Sequence, residues 1–73
     1  MINPALDTRW TIWKDGKEFH LTIKGIVSNG FRDNYRVISY SVKYDHLEPI
    51  QSVPAQKIYE LINTRSLVFL AVE

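Results

Sequence analysis

The 73 residues, 8.5 kDa in all, leave room for one hydrophobic core, and 45% hydrophobic content with no cysteine means that it forms without disulfides, thiolate zinc or an iron–sulfur cluster. Nine basic against eight acidic residues net +1, too balanced for a protein held to nucleic acid mainly by counterion release. The longest apolar run, Leu67 to Val72, is far short of the roughly 20 residues of a membrane span, and Met1-Ile2-Asn3-Pro4 lacks a signal-peptide pattern. The expectation is a single small domain over 1–73, cytoplasmic and not membrane-bound.

In chain order, residues 1–8 read as a loose lead-in, interrupted by Pro4 and without apolar periodicity. Order begins at Arg9. Asp15-Gly16 is a hairpin dipeptide, because both central residues of a type I′ turn need positive φ. A two-residue loop there sets Lys14 against Lys17, Ile12 against Phe19 and Trp10 against Leu21, while Arg9, Thr11 and Trp13 share the opposite face with Thr22, His20 and Glu18. One register thus sorts the side chains by polarity.

Asn29-Gly30 is a second such dipeptide. A two-residue loop there pairs residues whose numbers sum to 59, so Leu21 meets Ile38 and Phe19 meets Tyr40, sandwiching Phe19 between Ile12 and Tyr40. Both turns then bury the same side of the middle strand. The same register sets Ile23 against Arg36 and Ile26 against Asp33, a conflict that a bulge at Gly25 would relieve by re-phasing the outer end.

The fold class is therefore α+β, mostly β: an antiparallel three-strand meander over about 9–14, 17–27 and 34–44, a short strand over 50–53, a helix over 54–63 and a last strand over 66–72. Pro54 opens the helix, and Ala55, Ile58, Leu61 and Ile62 recur at helical spacing to lay an apolar stripe on the meander. The continuous apolar character of the last strand predicts burial on both faces, beside the first strand. The segment Val53-Pro54-Ala55-Gln56-Lys57-Ile58-Tyr59 resembles the proline-initiated turn before the last strand of SH3-like barrels, and that resemblance implies a small barrel of this kind. The chain departs from that family in lacking the paired tryptophan and acidic loop of its peptide-binding members, and in giving Ile58 to Ile62 a helical pattern where they have a strand.

No phosphate-binding glycine loop, nucleophile elbow or His-Glu-x-x-His helix is present, so no catalytic residue, metal or cofactor is assigned. His20 and His46 lie far apart and do not begin a metal site. What remains is a surface. Arg9, Lys14, Lys17, Lys24, Arg32, Arg36 and Lys43 outnumber Asp15, Glu18 and Asp33 over residues 9–44, and the expected outer face also carries Trp13, a large aromatic with core-excluded parity near a hairpin tip. Tyr35, next to Arg36 and opposite Lys24 in this register, joins aromatic to cationic character. The candidate binding residues are accordingly Trp13, Lys24, Tyr35, Arg36 and Lys43. They favour a non-catalytic protein-binding module that docks on and modulates a larger protein. The alternatives are a nucleic-acid-binding regulatory domain using the basic and aromatic face, and a subunit of a small oligomeric enzyme assembled through exposed strand edges.

Overall fold

In the computed structural model, which describes residues 4–30 and 36–73, five strands and one helix follow in the order β1 (Thr8–Lys14), β2 (Lys17–Asn29), β3 (Arg36–Tyr44), β4 (Gln51–Pro54), α1 (Ala55–Asn63) and β5 (Leu67–Val72). All pairings are antiparallel in one sheet ordered β4-β3-β2-β1-β5. The mostly-β α+β architecture is the one the sequence predicts.

The first hairpin has the expected register, with Ile12 opposite Phe19 and Trp10 opposite Leu21. Asp15 and Gly16 have φ of 52° and 76°, the pair of left-handed conformations that a type I′ turn requires. The second hairpin differs. Leu21 faces Tyr44, Ile23 faces Val42 and Asn29 faces Arg36, so Asn29 belongs to β2 and is not a residue of a two-residue loop. Residues 31–35 lie outside the described structure. The physical reason is burial: this register sets Ile23 against Val42 and Ile26 against Tyr40, where the two-residue loop would have set them against Arg36 and Asp33. The pairs sum to 65 at both ends and to 66 between two register shifts, so Tyr40 still faces inward, joined by Val42 and Tyr44, whereas Ile38, expected inside opposite Leu21, is 50% exposed and Val37 packs against the core in its place.

The bulge expected at Gly25 is present. Ile23 pairs with Val42 and Gly25 with Ser41, leaving Lys24 as the extra residue and rotating Ile26 onto the inner face beside Tyr40. A Cβ on Gly25 would lie 3.2 Å from both Cβ and Oγ of Ser41. Gly25→Ala should therefore cost about 1–2 kcal/mol by crowding β3, measured as a lower urea midpoint; an unchanged or raised midpoint would show that Ser41 yields freely.

Trp10, Ile12, Leu21, Ile23, Tyr40, Val42, Tyr44, Ala55, Ile58 and Leu67 form the core, on the sheet face that α1 covers. The helix packs against β3, β4 and β5 and so spans the two edges of the sheet. Pro54 stands at its N-cap, just ahead of the first turn, and Ala55 and Ile58 are its buried residues, with Leu61 and Ile62 half-buried against the core. Its end is a Schellman motif: Arg65, at φ 61°, donates to the Ile62 carbonyl and Ser66 to the Leu61 carbonyl. Ile58 to Ile62 are helical, as their spacing predicts, and not extended as in the SH3-like segment.

Two burial expectations are corrected. β5 does pair with β1, but Leu67 alone is buried and Phe69 half-buried; the rest of the strand is exposed, because an edge strand has one neighbour and only one face on the core. Phe19 is half-buried opposite Ile12, yet Tyr40 lies further along the sheet, and the His46 ring covers Phe19 at 4.6 Å between centroids. Ahead of β1, residues 5–8 make a turn in which the Thr8 amide donates to the Ala5 carbonyl, and the Asp7 amide ties it to the Ile23 carbonyl.

Candidate functional site

The site is built on the sheet face away from α1. Period-2 alternation along β1 sends Trp10 and Ile12 inward and leaves Arg9, Thr11 and Trp13 outside. Trp13 sits opposite Glu18 on one side, and its amide donates to the Ser66 carbonyl at 3.0 Å on the other, which holds it one diagonal step from Val68. Both side chains are 42% exposed. Thr11 and Thr22 were expected in solvent but are buried, since the first lies between Val68 and His20 and the second between Arg9 and Lys43, whose longer side chains overhang them.

Of the other predicted binding residues, the described ones, Lys24, Arg36 and Lys43, do not join Trp13. Arg36 is exposed opposite Asn29, eleven residues along β2 from the Glu18 that faces Trp13, a separation of roughly 35 Å. Lys24 is the bulge residue midway, with its ammonium 3.5 Å from the Glu73 carboxylate. Lys43 is half-buried and donates to the carbonyls of Tyr44 at 2.7 Å and Leu47 at 2.6 Å, so it pins the loop after β3. Tyr35 lies outside the described residues. Arg9, expected on this face but given no role, bonds Asp45 at 2.6 Å across the width of β2.

These contacts change the electrostatics of the face. Arg9 and Lys24 face carboxylates and Lys43 faces carbonyl oxygens, so three of its cations are already engaged within the chain. Trp13 and Val68 are large exposed apolar side chains on this face, with Glu18 and Ser66 beside Trp13 and Thr11 opposite Val68, and their area is of the kind a protein partner covers.

A second feature was not anticipated. At the tip of the first hairpin a cleft of about 380 Å³ is lined by Lys14, Lys17, Phe19, Tyr44, His46 and Gln51, among others. Lys14 donates to the Tyr44 hydroxyl at 3.2 Å and stands 5.0 Å over its ring, while His46 lies between the rings of Phe19 and Tyr44. The sequence signal was the like-charged pair Lys14 and Lys17; what it lacked was the return of residues 44–51 over the hairpin. Among the described residues no three His, Cys, Asp or Glu side chains come together as metal ligands, and no helix is long and apolar enough to cross a membrane. Compared with known proteins, the chain matches no family model, no curated protein and no solved structure.

Proposed function

We propose that the chain is a small non-catalytic protein-binding module that docks on a larger protein, and modulates it, through the outer face around Trp13. The observation that carries this reading is the exposed Trp13 beside exposed Val68, on a face where Arg9, Lys24 and Lys43 are satisfied internally. A tryptophan left in water contributes little to its own fold and much to an interface, because its large apolar area is desolvated only when a partner covers it. The engagement of those cations weighs against the nucleic-acid alternative on this face.

The test is capture of the partner from a lysate of the source cells by wild type and by Trp13→Ala, with and without nuclease. Trp13→Ala should weaken capture by about 2 kcal/mol or more, while its melting temperature stays within about 2–4 °C of wild type. Unchanged capture would remove the tryptophan from the interface. Capture that disappears with nuclease or falls steeply with salt would favour the nucleic-acid reading.

A further inference from the structure

The two edges of the sheet are unlike. β4 has four residues and ends in Pro54, two features that discourage pairing with another strand. β5 has six, Leu67-Val68-Phe69-Leu70-Ala71-Val72, with no charge, proline or glycine. Val68, Leu70 and Val72 are 42%, 46% and 73% exposed. An uncharged apolar edge of this length is a template for a further strand.

The backbone directions say which strand. Because the Trp13 amide bonds the Ser66 carbonyl, those two residues are a hydrogen-bonded pair, and antiparallel alternation makes Thr11 and Val68 the next. The amide and carbonyl of Leu67 and Phe69 therefore point out of the sheet. At the far end the Glu73 amide bonds the Asp7 carbonyl at 2.7 Å, so Val72, one residue earlier, also points outward. Between them Leu70 is the extra residue of a bulge, since Arg9 faces Ala71 and Trp10 faces Phe69.

We infer that β5 pairs antiparallel with β5 of a second copy of this chain, with the two-fold axis between Phe69 and Leu70. In that register Leu67 meets Val72 of the second copy: both direct their backbone groups outward, and both lie on the side of the sheet that carries the core. Val68 meets Ala71, both on the outer face, opposite Thr11 and Arg9 respectively within their own sheet. The ends match in charge as well. Ser66 meets Glu73, which brings Arg65, with no ion-pair partner among the described residues, beside the Glu73 carboxylate that Lys24 already approaches. No like charges oppose one another along the strand. The two-fold closes the assembly at this seam, because each copy's β5 edge is used by the other.

Sedimentation of the full chain over a range of concentrations tests this. The expected species is a dimer, twice the 8.5 kDa chain mass. Leu70→Lys and Val72→Lys, at exposed positions, should each raise its dissociation constant at least about tenfold by setting cations at the new seam, while Ile50→Lys, just ahead of the blunted edge, should leave it unchanged. In a dimer of labelled and unlabelled chains, contacts between the α-hydrogens of Val68 and Ala71 should appear, a readout that needs no variant. A monomer at every concentration, growth beyond two copies, or a dimer without those contacts would overturn the inference. Trp13→Ala should leave the mass unchanged, so failure of this pairing and failure of the docking role are separate results.

Discussion

Trp10→Ala should lower the unfolding free energy by about 3–5 kcal/mol, enough to leave a chain of this size largely unfolded at room temperature. The side chain is 2% exposed at the centre of the core, with the Phe69 ring edge-on at 5.6 Å. Its indole Nε1 donates to Thr8 Oγ1 at 2.8 Å, and that hydroxyl donates to the Ala5 carbonyl at 2.6 Å. Truncation would open a large cavity, release the β5 ring and leave the buried Thr8 hydroxyl with only the longer bond from the Ala5 amide, at 3.4 Å, as a donor. Urea unfolding followed by intrinsic fluorescence measures it, with Trp13 as the remaining reporter. A loss below about 1 kcal/mol would mean that the two tryptophans have exchanged roles.

Ile58→Ala should cost about 2–5 kcal/mol and detach α1 from the sheet. Nine residues do not hold a helix in water, so this one persists through its packed face. Ile58 is the largest fully buried side chain of that face. The contact between the Tyr59 and Tyr40 hydroxyls at 3.0 Å stands at the partly buried margin and does not replace it. The expected result is a lower urea midpoint with faster amide exchange across residues 55–63 and in β4. Stability near wild type with a normal helical signal would show that the helix docks by other contacts.

The same residues show how much could be read before the fold was known. Asp15-Gly16 specified its hairpin alone, because the turn needs two left-handed residues and only one register then sorts Trp10, Ile12, Phe19 and Leu21 to one side. Asn29-Gly30 carried the same local preference and lost. A turn dipeptide is worth little against several buried pairs, and Ile23 with Val42 and Ile26 with Tyr40 outweighed it. The inner face survived at Leu21, Ile23 and Tyr40, but the second register shift, after Val27, left Ile38 outside and Val37 on the core. Of the candidate site, Trp13 was legible from parity, whereas Lys24 and Lys43 were read as free cations: their partners, Glu73 and the carbonyls of Tyr44 and Leu47, depend on how the chain closes.

Local chemistry alone determined the order of elements, the first hairpin, the helix stripe and which side of the meander is apolar, since each rests on φ preferences and side-chain spacing within a few residues. Only the tertiary structure decided that the apolar Leu67–Val72 strand lies at an edge, that Arg9, Lys24 and Lys43 are engaged within the chain, and that residues 44–51 fold over the first hairpin. The reason is that burial and pairing belong to neighbours distant in sequence. A run of valine and leucine reads the same whether one strand flanks it or two.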